Sequence, residues 1–375
     1  TGVNSDNRQQ ACLATSEDDL IVWKKYEGNP IIAMPPDEFE VLGFRDHSLW
    51  QEDGFWYQII GSGIAGIGGT VLLYRSQDLY HWEYLHPLLT GDKNAYEPLW
   101  TGMMWECPQF FKLGDKHVLI ISVQDDKRGQ YTAYFTGQYH DQRFYPETLQ
   151  KLDYGNMNFY APQMCFDAQG RALLWGWLPE SRSVEAQIAA GWSGVMSLPR
   201  ILEMRTDGRL DMRPAPEIEG LRSQHTRYVK ADLLNAEGFL PSIPGRAIEL
   251  YAIFEGTDSG TCGIRLSSSP NAEEYVHIIY DFQRKRLGMK LMQAAVNGGQ
   301  PMIYEGELLL SEAEPLKLRI FLDYSVIEVY ANERQCITGR FYPAQTDKLS
   351  IQATSEAGIS LTSIDIWKLE PIWDV

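Results

Sequence analysis

A unit of about 60 residues recurs along the first part of the chain and limits its fold more than any other feature. The segment 15–23 (TSEDDLIVW) resembles 75–82 (RSQDLYHW): each has a Ser, then Asp-Leu, then a Trp, and the two Trp residues lie 59 positions apart. Related units follow at 137–144 and 206–210. Four short strands with their connections fill such a period, so the repeat predicts blades of a β-propeller, with unrelated hairpins of similar turn chemistry as the alternative.

The position of the first unit predicts an incomplete ring. Because this unit ends at Trp23, residues 1–32 correspond to the outer part of a blade, and only three further blades follow. Propellers usually have four or more blades, so we expect an N-terminal blade to be missing in front of Thr1. An open ring exposes strand edges and apolar surface, so we also expect a homo-oligomer that covers them.

Short apolar and aromatic runs bounded by Gly, Pro, Asn and Asp continue through the whole chain, as in 55–60 (FWYQII) and 117–122 (HVLIIS). Such runs are typical of strands, and 183–190 is the only stretch that suggests a helical turn or two. The sequence therefore predicts an all-β fold.

A change of pattern near residue 214 predicts a second domain. The stretch 214–227 is polar and contains prolines, as linkers often do. Beyond it, runs such as 247–254 (AIELYAIF) alternate strictly between apolar and polar positions, which is typical of a two-sheet sandwich. We predict a propeller domain over residues 1–218 and a β-sandwich domain over residues 228–375.

The charge balance argues against two classes of partner. The chain has 33 Lys and Arg against 50 Asp and Glu, a net charge of −17. It should repel polyanions, so we expect neither nucleic acid nor an anionic membrane as a partner. The first ten residues lack the features of a signal peptide, and we assign no compartment. The five cysteines are widely spaced and form no C-x-x-C pair, so no metal site is predicted.

Two short segments carry candidate chemistry. Glu106 lies among aromatic, sulfur and proline neighbours in 104–111 (MWECPQFF), a setting that suits a carboxylic general acid but also a structural Glu. Arg45 and Asp46 are adjacent at the start of a predicted strand, where a surface ion pair is the alternative. The inner strands of neighbouring blades line one channel, so Asp46 and Glu106 are expected to meet there. Paired carboxylates are the catalytic groups of glycosidases.

These residues belong to an ordered set of motifs that resembles glycoside hydrolase family 32, the β-fructosidases that include invertases, inulinases and levanases. Arg45-Asp46 resembles the family's Arg-Asp-Pro motif, and Trp105-Glu106-Cys107-Pro108 resembles its Glu-Cys motif. The resemblance extends over essentially the whole chain, through the following further segments: 158–163 (NFYAPQ), 174–177 (LWGW), 191–194 (GWSG), 198–200 (LPR) and 321–332 (FLDYSVIEVYAN).

The resemblance implies a five-bladed β-propeller followed by a β-sandwich, and a glycosidase that cleaves fructosyl linkages of sucrose or fructans with retention, without a cofactor. Glu106 would be the acid/base and Asp46 the transition-state stabiliser. Four residues would bind the carbohydrate substrate: Arg45, Trp105, Tyr160 and Trp177.

The chain departs from the family pattern in the nucleophile. The family's Trp-Met-Asn-Asp-Pro-Asn-Gly motif has no counterpart here, and neither Asp6 nor the Asp18-Asp19 pair is assigned in its place. His47 and Asn158 stand where the family has Pro and Asp. The alternative function is therefore a catalytically inactive sucrose- or fructan-binding relative. An arabinan-cleaving propeller enzyme is disfavoured by the sandwich motifs.

Overall fold

The structure is a computed structural model, and it describes residues 1–229, 240, 243–244, 246–256, 259–267, 273–293, 300–343, 348–356 and 358–373. The described residues form two compact units. The first comprises residues 1–152, 160–165 and 203–209, and the second comprises residues 153–159, 166–202 and 210–375. The domain limits predicted from the sequence stay a prediction, as does the homo-oligomer.

Strands dominate both units, so the predicted all-β class is confirmed. The strands up to residue 166 are β1 (Gly2–Val3), β2 (Gln9–Gln10), β3 (Ala14–Thr15), β4 (Lys24–Lys25), β5 (Val41–Glu52), β6 (Phe55–Ile64), β7 (Gly68–Ser76), β8 (Glu83–Thr90), β9 (Met104–Leu113), β10 (Lys116–Asp125), β11 (Arg128–His140), β12 (Arg143–Lys151) and β13 (Tyr160–Phe166).

The later strands are β14 (Ala172–Leu178), β15 (Val195–Met196), β16 (Arg200–Met204), β17 (Leu210–Pro214), β18 (Arg222–Val229), β19 (Ile243–Pro244), β20 (Ala247–Glu255), β21 (Thr261–Ser267), β22 (Tyr275–Asp281), β23 (Arg286–Met292), β24 (Met302–Glu307), β25 (Leu316–Asp323), β26 (Val326–Ala331), β27 (Gln335–Arg340), β28 (Lys348–Ser355) and β29 (Ser360–Leu369).

One α-helix, α1 (Val184–Ala190), occurs among the described residues, together with 3-10 turns at Asn156–Asn158 and Pro216–Leu221. The helix lies where the sequence suggests helical turns. It begins because the Ser183 side chain accepts a hydrogen bond from the amide of Ala186, and it ends because Gly191 adopts a φ of 77°. No described helix is long and apolar enough to cross a bilayer.

Two four-stranded antiparallel meanders make up most of the first unit, in the orders β5-β6-β7-β8 and β9-β10-β11-β12. Their middle strands are apolar on both faces, as in Val118–Ile121, because both faces of these strands are covered. Contacts between β5 and β9 place the first strands of the two sheets side by side. Equivalent positions of successive sheets are therefore neighbours.

The sequence repeat corresponds to one recurring turn. The indole N–H of Trp23 donates to the carbonyl of Leu20 at 2.9 Å, and that of Trp82 donates to the carbonyl of Leu79 at 2.9 Å. The two leucines share a left-handed φ of 68° and 69°. In both copies a strand follows the turn, β4 in the first and β8 in the second, and β8 is the last strand of its sheet.

Two six-stranded antiparallel sheets form most of the second unit, in the orders β18-β29-β20-β25-β26-β27 and β19-β28-β21-β22-β23-β24. Alternate residues of their strands are buried, among them Leu250, Ile320, Ile278 and Met289. These residues belong to one apolar core, as the alternating pattern predicts for a sandwich.

A buried ionic cluster in the second unit accounts for the LPR motif. Arg200 is fully buried, and its guanidinium bonds Asp153 at 2.9 Å, Glu328 at 2.8 Å and the Thr338 hydroxyl at 2.8 Å. The Phe159 ring lies 3.9 Å below the guanidinium. The two carboxylates are therefore paired and hydrogen-bonded, which offsets the cost of burying them.

Candidate active site

The candidate site of the first unit is built from residues of three strands, β5, β9 and β13. Arg45 and Asp46 lie in β5, Glu106 lies in β9, and Tyr160 begins β13. Because β5 and β9 are in contact, a separation of 61 residues in sequence brings Arg45 within hydrogen-bonding distance of Glu106. The structure thus confirms that these two motifs meet.

A backbone irregularity follows directly after each of the three bonded side chains, Arg45, Glu106 and Tyr160. Asp46, Cys107 and Ala161 have left-handed φ values of 62°, 46° and 48°. The strand register shifts between Arg45 and His47, and it shifts again in the pairing of β9 with β10. A non-glycine residue in this region costs about 1–2 kcal/mol. Such bulges often re-aim side chains next to functional sites, which fits their position here.

Glu106 is held by two donors on different oxygens. Arg45 Nη2 donates to Oε1 at 2.7 Å, with Arg45 Nε at 3.1 Å, and the Tyr160 hydroxyl donates to Oε2 at 2.6 Å. The Glu106 side chain keeps 18% of its surface exposed. The Glu106 carboxylate is therefore held in one orientation and remains accessible to a ligand.

Asp46 lies next to the Glu-Cys motif. Its Oδ2 accepts a hydrogen bond from the backbone N–H of Cys107 at 3.1 Å, and the Cys107 thiol lies 3.6 Å away. Arg45 Nε lies 3.9 Å from the same oxygen. Burial, followed by the charge of Asp46, raises the pKa of Cys107, so the thiol stays protonated. Arg45 thus lies between two carboxylates.

Tyr160 is a support for Glu106 rather than a stacking surface. Its side chain is buried with 4% exposure, and burial and the hydrogen bond to Glu106 raise its pKa, so the phenol remains a donor. A ring so covered offers no face to a sugar. The burial of Tyr160 argues against the predicted direct contact with the substrate, and its hydroxyl contacts Glu106 instead.

Trp105 does not line a sugar subsite. It is fully buried, its indole N–H donates to the carbonyl of Thr101 at 2.6 Å, and it packs in an apolar core with Phe135. Gly69 has to be a glycine here, because a Cβ would lie 2.1 Å from the indole. The prediction for Trp105 was wrong because alternation along β9 turns it away from Glu106.

Trp177 and His47 have different surroundings. Trp177 belongs to the second unit, lies in β14 opposite Met196, and is 41% exposed, so its predicted role in sugar binding stays a prediction. His47 lies within β5, and burial lowers its pKa to about 4. The imidazole is therefore neutral near pH 7.

Two glutamines and Met104 complete the surroundings of Arg45. The amide oxygens of Gln9 and Gln124 accept hydrogen bonds from its guanidinium at 3.2 and 3.3 Å, and the Met104 sulfur lies 3.2 Å away. No sequence signal identified the two glutamines. Met104 belongs to the segment 104–111 that also contains Glu106. Among the described residues, no group of His, Cys, Asp and Glu forms a metal site.

Comparison with known families decides the classification of the chain. The "Glycosyl hydrolases family 32 N-terminal domain" matches residues 1–214, and the "Glycosyl hydrolases family 32 C terminal" domain matches residues 217–368. The chain belongs to glycosyl hydrolase family 32. The resemblance of its motifs is thereby confirmed, and the family makes it a glycosidase.

Relatives in family 32 match over nearly all of this chain. Raffinose invertase of Escherichia coli is 31% identical over 98% of this chain and 74% of its own, and sucrose-6-phosphate hydrolase of Escherichia coli is 28% identical over 98% and 75%. The β-fructofuranosidase of Bombyx mori has a similar structure, with a TM-score of 0.76, 26% identity and coverage of 99% and 75%. A mutant of the Bombyx mori enzyme has been solved in complex with sucrose. The predicted class of fold, a β-propeller with a β-sandwich, is confirmed by this match, whereas the missing blade stays a prediction.

Proposed function

We propose that this glycosidase cleaves β-fructofuranosidic bonds of sucrose or fructans, with Glu106 as acid/base and Asp46 as stabiliser of the transition state. The observation that carries the proposal is that the two carboxylates lie beside one arginine. Arg45 pairs with Glu106 at 2.7 Å, and Asp46 accepts a hydrogen bond at 3.1 Å from the backbone N–H of Cys107, the residue after Glu106. The names of the relatives, invertase and sucrose-6-phosphate hydrolase, support the substrate class.

Each group in the site has a chemical task that suits its position. Glu106 protonates the leaving oxygen and later removes a proton from water. Asp46, through its carboxylate, stabilises the positive charge that develops on the fructosyl ring. Arg45 orients both carboxylates through its charge and its N–H groups. The Tyr160 hydroxyl fixes the rotamer of Glu106, which keeps the acid aimed at the scissile bond.

We further propose that the configuration is retained. Retention requires a second carboxylate about 5 Å from the acid as nucleophile, and we leave this nucleophile unassigned. With methanol as acceptor, a retaining enzyme produces methyl β-fructofuranoside, whereas an inverting enzyme produces the α-anomer. Identification of the anomer by NMR therefore tests the mechanism separately from the activity.

The first experiment measures fructose release from sucrose and inulin by the wild type and by Glu106→Gln. We expect kcat/KM to fall by about 10³-fold or more, because the glutamine amide cannot donate a proton to the leaving group. Sucrose binding, measured by calorimetry, should remain. The control is Glu83→Gln, which changes an exposed carboxylate paired with Arg75 and should leave the rate unchanged.

Two outcomes would contradict the proposal. Full activity of Glu106→Gln would remove Glu106 from its role as acid. Sucrose binding without fructose release by the wild type would favour the inactive binding relative.

A further inference from the structure

We propose that Gln9 is a positioning residue of this site: together with Gln124 it fixes the guanidinium of Arg45 and thereby the orientation of Glu106. The inference rests on the proposed function, because it assigns a role in the same site. It concerns a residue outside every motif that pointed to the site.

The amide oxygen of Gln9 joins the backbone of β5 to the side chain of Arg45. Gln9 Oε1 accepts a hydrogen bond from the Phe44 N–H at 2.9 Å and a second from Arg45 Nη1 at 3.2 Å. The register of β5 with β6 shifts between Val41 and Phe44, which marks an irregularity beside this amide. The Gln9 amide oxygen therefore holds both the backbone of β5 and the side chain of Arg45.

The guanidinium of Arg45 is enclosed on several sides. Nη2 approaches Gln124 Oε1 at 3.3 Å and the Met104 sulfur at 3.2 Å in addition to Glu106. At Gly43 a Cβ would lie 2.5 Å from Arg45 Nη1 and 2.7 Å from the Met104 methyl group. Because Gly43 has no side chain, the Arg45 guanidinium and the Met104 methyl group have the space that they occupy.

The amide character of Gln9 and Gln124 has an electrostatic reason. Arg45 is one cation beside the two carboxylates Asp46 and Glu106. Neutral amide oxygens satisfy its other N–H groups without adding negative charge, so the cation remains available to these carboxylates. A third carboxylate in place of an amide would compete for Arg45.

The role of Gln9 is tested with two variants and a matched control. Gln9→Met keeps the side-chain length but removes the acceptor, and Gln9→Glu keeps the acceptor but adds a charge. We expect each to lower kcat/KM on sucrose about tenfold, mainly through kcat, because Arg45 no longer holds Glu106 in place. The control is Gln10→Met: Gln10 is the next residue of β2, and its amide bonds the carbonyl of Ala33 at 3.1 Å. This control should retain wild-type kinetics.

A double-mutant cycle separates positioning from general loss of structure. In an Arg45→Met background, Gln9→Met should cause no further loss, because its effect passes through the arginine. The thermal midpoint of Gln9→Glu should stay near the wild-type value while its rate falls. Additive losses in the cycle, or wild-type kinetics of both Gln9 variants, would overturn the inference.

Crystal structures of the wild type, Gln9→Met and Gln9→Glu provide a readout that does not depend on activity. We expect the Arg45 guanidinium to move away from Glu106 in Gln9→Met and toward residue 9 in Gln9→Glu. An unmoved guanidinium in both variants would overturn the inference. If the wild type cleaves neither sucrose nor inulin, the proposed function fails, and these structures still decide whether Gln9 positions Arg45.

Discussion

At the scale of single residues, Tyr160 shows how a buried side chain contributes to an exposed site. Its hydroxyl donates to Glu106 Oε2 at 2.6 Å and lies 3.3 Å from the carbonyl of Val123. A hydrogen bond to a carboxylate is worth more than one to a neutral acceptor, about 1.5–3 kcal/mol. The phenol therefore restricts the orientation of the Glu106 carboxylate.

We predict that Tyr160→Phe lowers kcat on sucrose about tenfold and changes KM little. The ring remains in place, and only the donor that orients Glu106 is lost. Steady-state kinetics of the purified variant provide the measurement. The matched control is Tyr74→Phe, because Tyr74 is also buried and its hydroxyl has no hydrogen-bond partner among the described residues. Equal rates for Tyr160→Phe and the wild type would show that the hydroxyl does not orient the acid.

The site also shows which residue roles a sequence can reveal. The spacing of Asp46 and Glu106 along repeated units predicted that their two segments meet, because equivalent positions of successive sheets are neighbours, but the direct Arg45–Glu106 contact was not predicted. The burial of Trp105 and Tyr160 was not predicted, since exposure depends on which face of each strand is covered. Gln9 was missed because its importance depends on its contacts with the backbone of β5 and with Arg45, and no residue pattern encodes these contacts.

At the scale of elements, buried charge connects strands of the second unit. Arg200 in β16 bonds Glu328 in β26 and Thr338 in β27, and it also bonds Asp153. The LPR segment was identified as a motif from the sequence, but the structural role of its arginine was not predicted. The alternating pattern predicted a sandwich, but no residue pattern predicted that Arg200 is fully buried. The motif is explained by the pairing of this arginine with two buried carboxylates.

We predict that Arg200→Leu lowers the free energy of unfolding by about 3–5 kcal/mol, because it leaves two buried carboxylates without their cation. Urea denaturation followed by fluorescence gives the value. Arg205→Leu is the control: Arg205 pairs with Asp207 at the surface, and such pairs contribute about 0–1 kcal/mol. A loss below 1 kcal/mol for Arg200→Leu would mean that the cluster is hydrated and not a buried ion pair.

At the scale of the whole molecule, partly buried histidines in both units link stability to pH. Burial lowers the pKa of His47, His117 and His277 to about 4 from an ordinary value of 6.5. Between these two values the folded protein keeps the three imidazoles neutral, whereas the unfolded chain takes up protons. Protons therefore favour the unfolded state in this window.

We predict that the free energy of unfolding is highest above pH 6.5 and falls toward pH 4.5, by about 1–2 kcal/mol for each of these histidines. The depressed pKa of Glu180, about 2, acts at lower pH: its contribution is lost only as the pH falls below 4.5, so the two effects separate. His117→Phe should reduce the slope, since a phenyl ring retains the stacking on Phe110 but cannot be protonated. His140→Phe, at a side chain that is 60% exposed, serves as the control. Urea titrations at half-unit steps of pH give the free energy of unfolding at each pH. Equal slopes of this free energy against pH for the wild type and His117→Phe would show that His117 does not contribute to the loss of stability.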